Sequence, residues 1–340
     1  MQKKIKKIPK TDLHLHLDGS LRLNTILDLA KKNKVKLPTT KKEELQAYIC
    51  CDEKCESLEE YLQGFKVTCS VMQTEEALHR IALELAEDVA TENVIYMEVR
   101  YSPILHTEKG LSLEKVNNAI LSGLKEGEKK FNVKSGVIIC GMRHMKPSIS
   151  YDLARLAVKY KNKGVVGYDL AGAEAGFPAS EHKKAFDLVH EHNMNLTVHA
   201  GEAAGADSIK QSLHKCGAHR IGHGTRLYED EDLLNYVNDH RIPLEVCLIS
   251  NLQTKAVKSL AEHPVKDYLK KGLRVTLNTD NRLISNTTLS KEYITAVEKF
   301  SWGWNEIKQV AVNGFVSAFL PFREKQELLQ KVVKEIQDME

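Results

Sequence analysis

The run Thr11-Asp12-Leu13-His14-Leu15-His16-Leu17-Asp18-Gly19-Ser20 predicts a β-strand that ends at its two histidines. Side chains along a strand alternate between its faces, so the imidazoles of His14 and His16 leave the same face, side by side. Two neutral imidazoles this close can supply half of a zinc site. The alternative for an isolated His-x-His pair is the solvated polar face of an amphipathic strand, and the rest of the chain decides between the two.

Seven further apolar, β-branched runs follow this strand, and together they predict the fold. The eight predicted strands are Ile8 to His16, Val94 to Arg100, Ser135 to Met142, Val165 to Leu170, Asn195 to His199, Arg220 to His223, Pro243 to Leu248, and Leu273 to Asn278. Amphipathic stretches such as Glu75 to Thr91 and Leu113 to Phe131 separate most of them. Near-continuous apolar strands alternating with helices are typical of a parallel sheet. Eight such units predict an α/β fold, a (β/α)8 TIM barrel whose active site lies at the C-terminal ends of the strands.

Two segments are additional to this pattern. A helical insertion from about Asp28 to Gln73 follows the first strand, and the part near 57–73 is predicted either to cover the barrel mouth as a lid or to pack on the barrel wall. Leu58, Leu62, Phe65 and Cys69 share one face of its helix. The tail from Trp302 to Glu340 predicts additional C-terminal helices. No linker or repeat is evident, so we expect residues 1–340 to form a single barrel domain.

Composition excludes several classes of function. The chain has 340 residues with 49 basic and 46 acidic side chains, a net charge of +3. Such balance disfavours nucleic acid or an acidic membrane as partner, and no apolar run approaches the roughly 20 residues of a membrane span. Without a signal peptide we expect a cytoplasmic protein, and we interpret the seven cysteines, including the cluster Cys50, Cys51 and Cys55, as reduced thiols. The oligomeric state is left open.

Unusual polar residues follow several predicted strands. His14 and His16 end the first, His199 ends the fifth, and Asp280 follows the eighth. Zinc takes three or four nitrogen and oxygen ligands with a position left for water, and this set supplies three nitrogens and a carboxylate. Glu202 and His223 are placed to act on such a water from two sides. The fourth strand ends without a lysine that could bridge a second metal, which favours one zinc ion per chain.

These residues together resemble the adenosine deaminase family of the metal-dependent amidohydrolases. The matching motifs are His14-Leu15-His16-Leu17-Asp18-Gly19-Ser20, Tyr96-Met97-Glu98-Val99-Arg100-Tyr101-Ser102-Pro103, Asp169-Leu170-Ala171-Gly172, His199-Ala200-Gly201-Glu202, Arg220-Ile221-Gly222-His223-Gly224, Ser250-Asn251-Leu252-Gln253-Thr254 and Asn278-Thr279-Asp280. Each motif is weak alone, but their order and spacing from about Ile8 to Ile284 are specific.

The resemblance implies a role for each matching residue. The metal ligands are His14, His16, His199 and Asp280, and the catalytic residues are Glu202, which meets purine N1, and His223, which orients and helps deprotonate the attacking water. Substrate-binding residues are His16, Asp18 at the ribose 5′-hydroxyl, Gly172 at purine N3 and Asn281 at purine N7.

The chain departs from the family pattern at three positions. Asn281 stands where the family often has an acid; its amide donates to N7 without needing protonation. Ala173 and Leu248 replace a common acid and a common proline, and Ala173 adjoins the purine contact.

The function implied is zinc-dependent hydrolytic deamination of adenosine, with 2′-deoxyadenosine, to inosine and ammonia in purine salvage. The alternative within this fold is deamination of adenine or another N6-substituted purine, such as N6-methylated AMP. Asp18 favours a nucleoside, because a short carboxylate leaves room for ribose; its alternative role is to cap the turn at Gly19. Deaminases of adenosine in nucleic acid combine His-x-Glu with Pro-Cys-x-x-Cys, and the sequence contains no Pro-Cys-x-x-Cys. A non-catalytic binding protein would have lost a ligand or the acid, and all are present.

Overall fold

The computed structural model of the chain describes residues 1–51 and 58–339, with all side chains in these ranges except those of 58–60 and 62. The strands are β1 (Lys10–His16), β2 (Val94–Tyr101), β3 (Lys134–Met142), β4 (Val165–Ala171), β5 (Asn195–Ala200), β6 (Arg220–His223), β7 (Leu244–Val246) and β8 (Val275–Leu277). They form one parallel sheet in chain order. A bridge between Leu15 and Asp280 joins the first strand to the chain leaving the last, which closes the barrel. The predicted TIM barrel is therefore confirmed.

Helices surround this sheet. They are α1 (Gln2–Lys7), α2 (Leu23–Asn33), α3 (Lys42–Ile49), α4 (Leu58–Val71), α5 (Glu75–Ala90), α6 (Leu113–Phe131), α7 (Pro147–Tyr160), α8 (Lys183–Glu191), α9 (Ala206–His214), α10 (Glu231–Asp239), α11 (Leu248–Gln253), α12 (Val265–Lys270), α13 (Leu289–Phe300), α14 (Trp304–Ser317) and α15 (Phe322–Gln337). The predicted insertion corresponds to α2, α3 and α4, and the predicted C-terminal helices are α14 and α15. Four residues were predicted to share one face of α4. The side chains of two of them, Leu58 and Leu62, are not among those that the structure describes.

Three strands, β1, β7 and β8, differ from the prediction by two residues at one of their ends. The segment before β1 is helical, because Ile5 of α1 is buried and the Lys10 ammonium donates to the carbonyls of Ile5 and Ile8. Strands β7 and β8 are shorter than predicted. After β7 the chain turns into α11 at Leu248, whose amide donates to the buried Glu292 carboxylate at 2.9 Å. Apolar residues at the ends of these strands are buried by the turns, so hydrophobicity alone does not mark where pairing stops.

The barrel interior holds a chain of buried ion pairs as well as apolar side chains. Glu98 pairs with Arg220 at 2.5 Å, and Arg220 pairs with Glu245 at 2.6 Å. Arg100 then bridges Glu245 and Asp169, at 2.9 Å to each. Buried charges are tolerated when they are paired in this way. The chain of ion pairs leads to the C-terminal ends of the strands, where the predicted site residues lie.

The C-terminal helices cover the outside of the barrel beside the closure. Helix α14 packs on β1 and β8. A Cβ on Gly314 would lie 2.1 Å from the Thr11 hydroxyl oxygen, so the helix reaches the strand this closely only with glycine.

The interpretation of the cysteines as reduced thiols is wrong for Cys51. Cys51 is disulfide-bonded, whereas Cys50, Cys69, Cys140, Cys216 and Cys247 are free, and Cys55 lies outside the described residues. Pairing needs a Cα separation of roughly 4.4–6.8 Å, which sequence spacing alone does not establish. Among the described helices, none is both long enough and apolar enough to span a bilayer.

Candidate active site and metal centre

One cavity opens at the C-terminal mouth of the barrel. The predicted site residues that line it are His16, Asp18, Gly172, His199, Glu202, His223, Asp280 and Asn281. His14 lies fully buried beneath them, with its ring centroid 4.5 Å from that of His199. The structure thus brings together every residue that the sequence singled out.

The four predicted metal ligands converge, three of them in the lining of this cavity and His14 beneath it. Nε2 of His16 lies 3.2 Å from Nε2 of His199 and 3.4 Å from Oδ1 of Asp280. Nε2 of His14 lies 3.6 Å from the same carboxylate oxygen and has no hydrogen-bond partner among the described residues. Ligands about 2.0–2.1 Å from a tetrahedral zinc ion lie about 3.3 Å apart. The spacing and the orphaned nitrogen fit a single metal ion.

Neighbouring side chains orient three of the predicted ligands. Nδ1 of His14 bonds to Glu245 at 2.9 Å, and Nδ1 of His199 bonds to Asp169 at 2.9 Å. The hydroxyl of Ser250 donates to Oδ2 of Asp280 at 2.6 Å. Bonds of this kind leave Nε2 of each imidazole as the free donor atom and fix the ring.

Burial holds the pKa of both His14 and His16 well below its usual range. Both imidazoles are therefore neutral at physiological pH, which is the form that binds a metal.

Two other side chains lie close enough to be considered as ligands. His223 groups with His14 and His199, and Cys247 groups with His14 and Asp280, all ligand atoms lying within 4.8 Å of one another. His223 bonds to Asn251 through Nδ1 and faces Glu202 through Nε2. Burial raises the pKa of the Cys247 thiol well above its usual range, so its thiolate is disfavoured. The four predicted ligands remain the best set.

Glu202 is a buried acid beside the ligand set. Burial raises its pKa to about 7, so a large fraction is protonated at neutral pH. The Thr254 hydroxyl donates to Oε1 at 2.8 Å, and Oε2 lies 3.5 Å from Nε2 of His223. Burial also lowers the pKa of His223 to about 4, which keeps this imidazole neutral. The pair therefore combines a protonated acid with a neutral imidazole.

Glu174 holds the loop that carries this acid. Its carboxylate accepts from the amides of Gly201, Glu202, Ala203 and Ala204 at 2.7–3.0 Å. Four converging amides fix the loop backbone and so place the Glu202 side chain.

Two of the site residues have unusual backbone conformations. His223 has φ +62° and Asp280 has φ +59°, both in the left-handed region. Asp and His enter this region more readily than β-branched residues, and such conformations concentrate at functional sites. His223 is the last residue of β6 and Asp280 lies three residues beyond the end of β8, so both conformations occur where the chain turns at the barrel mouth.

The lining of the cavity includes polar groups that could contact a ligand. Asp18 is buried, burial raises its pKa to about 7, and its Oδ1 has no hydrogen-bond partner among the described residues. Gly172 has φ +91°, where a side chain would be strained. Asn281 donates to the Tyr61 hydroxyl at 2.7 Å through its amide nitrogen. Tyr61 and Phe65 of α4 line the same cavity, so this part of the insertion lies over the mouth.

Sequence reasoning gave no role to the supporting residues Asp169, Glu174, Glu245, Ser250, Asn251, Thr254 and Tyr61. Glu245 is the clearest case, because a carboxylate inside the apolar run Leu244-Glu245-Val246 must face a partner when buried. That signal marks the residue but does not identify His14 as its partner.

A parallel barrel with this ligand set and a buried acid at its mouth belongs to the metal-dependent amidohydrolases. The family model described as adenosine deaminase matches residues 9–335. The chain belongs to the adenosine deaminase family.

Individual relatives agree with this assignment. An adenosine deaminase from Mycobacterium avium (strain 104) is 42% identical over 351 residues, which covers 97% of this chain and 95% of that protein. A probable adenosine deaminase from Dictyostelium discoideum is 43% identical over 93% of this chain, which spans 41% of that longer protein. The solved structure of an adenine deaminase from Arthrobacter aurescens superposes with a TM-score of 0.91 at 28% identity, covering 97% of this chain and 99% of that one.

Proposed function

We propose that the protein hydrolyses adenosine, and 2′-deoxyadenosine, to inosine or deoxyinosine and ammonia, with one zinc ion per chain. The observation that carries this proposal is Glu202, a buried acid with a pKa raised to about 7, in the same cavity as the ligand set. A carboxylic acid beside a metal suits addition of water to a ring carbon whose neighbouring nitrogen needs a proton.

The metal proposed is zinc, held by His14, His16, His199 and Asp280. Three imidazole nitrogens and one carboxylate are ligands that zinc accepts in catalytic sites. Bound there, zinc would supply a nucleophile at neutral pH, since it lowers the pKa of water to about 7.

Glu202 and His223 act on the reacting atoms. Protonated Glu202 donates to purine N1, which draws electron density away from C6 and favours addition of water there. His223, whose Nε2 lies 3.5 Å from the Glu202 carboxyl, orients the attacking water from the other side. One proton of the water restores the acid form of Glu202 and the other passes to the amino group. The C6–nitrogen bond then breaks, ammonia leaves and the C6 oxygen remains as the carbonyl of inosine.

The substrate is proposed to be a nucleoside. The unpartnered Oδ1 of Asp18 can accept a hydrogen bond from the ribose 5′-hydroxyl. The second amide hydrogen of Asn281, beyond the one given to Tyr61, remains for purine N7. Gly172 offers its backbone to purine N3, and His16 lies against the substrate as well as the metal. Among the described residues that line the cavity none is Lys or Arg, so nothing there would neutralise a 5′-phosphate.

A substrate comparison tests this assignment. Adenosine, deoxyadenosine, adenine, AMP and N6-methyl-AMP are offered separately, and the ultraviolet change at C6 and the ammonia released are followed with and without a chelator. We expect turnover of the two nucleosides, little with the nucleotides, and loss of turnover with the chelator that zinc restores. Preference for adenine would overturn the role of Asp18, and full activity in metal-free enzyme would overturn the metal assignment.

A second experiment tests how the ligands are oriented. Asp169→Asn removes a carboxylate that holds His199, so we expect zinc affinity to fall about 10–100-fold. Competition with a chromogenic chelator measures it. The matched control is Asp152→Asn, an exposed residue of α7, which should leave affinity unchanged. Equal affinities in the two variants would contradict the orienting role.

The remaining predictions from the sequence stay predictions. We propose that residues 1–340 act as one domain, in the cytoplasm, on a small-molecule substrate and without nucleic acid as partner. The oligomeric state stays open.

A further inference from the structure

A line of hydrogen bonds runs from His223 into the protein, away from the cavity. The Val265 amide bonds to Nδ1 of His263 at 3.1 Å. Nε2 of His263 bonds to Oδ1 of Asn251 at 3.2 Å, and Nδ2 of Asn251 bonds to Nδ1 of His223 at 3.0 Å. All three side chains are buried. The line therefore connects a backbone amide to an imidazole of the active site.

The direction of every bond in this line follows from its first member. A backbone N–H only donates, so Nδ1 of His263 accepts and carries no hydrogen. Burial lowers the pKa of His263 to about 3, so the ring is neutral and its single hydrogen is on Nε2. That hydrogen is donated to the Asn251 carbonyl oxygen. The amide NH₂ of Asn251 then faces His223, whose Nδ1 accepts.

We infer that His263 and Asn251 are positioning residues that fix His223 in the neutral tautomer with its hydrogen on Nε2. Neither His263 nor Asn251 is among the described residues that line the cavity, so both act on the site through His223. A separate observation agrees with the amide orientation: burial raises the pKa of Glu202, and a hydrogen bond from the Asn251 side chain is among the contacts that oppose this rise. The amide nitrogen therefore lies on the side of both Glu202 and His223.

This tautomer determines which hydrogen bonds His223 can make in the active site. Nε2 is the nitrogen 3.5 Å from the Glu202 carboxyl, and in this form it is an N–H donor. His223 therefore donates a hydrogen bond to the oxygen of the attacking water, and it has no free lone pair on that side to accept the proton. Its contribution is to hold that oxygen and to stabilise the negative charge that develops on it. This consequence rests on the proposed function, whereas the tautomer itself does not.

Asn251→Asp is the most direct variant. Aspartate has nearly the shape of asparagine but only accepts hydrogen bonds when ionised, so it should draw the hydrogen of His223 to Nδ1. His263→Gln retains a donor to Asn251, whereas His263→Phe fills the space without one. We therefore expect Asn251→Asp to reverse the tautomer, His263→Phe to leave it mixed, and His263→Gln to keep it.

The tautomer is read by long-range ¹H–¹⁵N correlation of ¹⁵N-histidine-labelled, zinc-loaded enzyme, with His223→Ala used to assign the His223 signals. The expected spectrum of the unmodified enzyme has a bare Nδ1 and a protonated Nε2 at His223. A protonated Nδ1 in that enzyme, or no reversal in folded Asn251→Asp, would overturn the inference.

Turnover of adenosine separates the inference from the proposed function. Asn251→Asp and His263→Phe should lower kcat about 10–100-fold, with KM and zinc content little changed and a smaller loss in His263→Gln. A reversed tautomer with unchanged kcat would leave the line of hydrogen bonds established and contradict the catalytic role of His223.

Discussion

Glu202→Gln is expected to lower kcat for adenosine about 10²–10⁴-fold, the usual contribution of a general acid. Glutamine has nearly the same shape and can still accept from the Thr254 hydroxyl, which lies 2.8 Å from Oε1 of Glu202. Its amide hydrogens can touch purine N1 but cannot be transferred to it, so the charge that develops there stays uncompensated. The measurement is steady-state kinetics on variant and parent, with zinc content and melting temperature determined on the same samples.

A loss of activity caused by altered folding can be distinguished from one caused by the missing acid. The loop of Glu202 is held through its backbone by Glu174, and those bonds do not involve the substituted side chain. We therefore expect zinc content and melting temperature to match the parent. Glu231→Gln, at an exposed position of α10, makes the same chemical change away from the cavity and should keep parental kcat. Near-parental activity of Glu202→Gln would show that the acid is not required.

The parts of the site that sequence could predict are those that follow strands. A strand is recognisable from its apolar period, and in a parallel barrel all strand ends meet on one rim, so His14, His199 and Asp280 could be placed together without knowing any contact. Glu202 could be placed at the same rim because it lies three residues beyond His199, a predicted ligand. The short sixth run, Arg220 to His223, is also a strand with these bounds.

The parts that sequence could not predict are the partners. His14 and Glu245 are 231 residues apart, and His199 and Asp169 are 30 apart. Which carboxylate meets which imidazole depends on strand register and on the inward or outward face of each residue, and a shift of one residue reverses that face. The same holds for Asn251, whose side chain meets His223 only because α11 begins directly after β7.

Arg100 is another partner that the sequence does not reveal, and it contacts two of the orienting carboxylates. In the sequence it is one charged residue at the end of an apolar run. In the structure it is fully buried and donates to Asp169, to Glu245 and to the Leu13 carbonyl at 2.6–2.9 Å. Its two carboxylate partners are those that orient His199 and His14. Burial would raise the pKa of Asp169, but His199 and Arg100 together hold it well below its usual range.

Arg100→Met should therefore affect both stability and metal binding. Methionine fills much of the space but leaves two buried carboxylates without their cation, and removal of one partner of a buried ion pair costs about 3–5 kcal/mol. We expect the free energy of unfolding in urea to fall by that amount, and zinc affinity to fall about 10–100-fold because both orienting carboxylates lose their anchor. Denaturant titration measures the first quantity, and chelator competition the second.

Arg155→Met is the matched control for this change. Arg155 lies on α7 with its side chain 68% exposed, and its one ion pair among the described residues, with Asp152, is long at 3.8 Å. Its loss should change the free energy of unfolding by less than about 0.5 kcal/mol. If Arg100→Met were no more destabilising than this control, the two carboxylates would have to be neutral without Arg100. Neutral carboxylates could not orient the imidazoles as charged acceptors. The chain of ion pairs would then not explain how the predicted metal ligands are held in place.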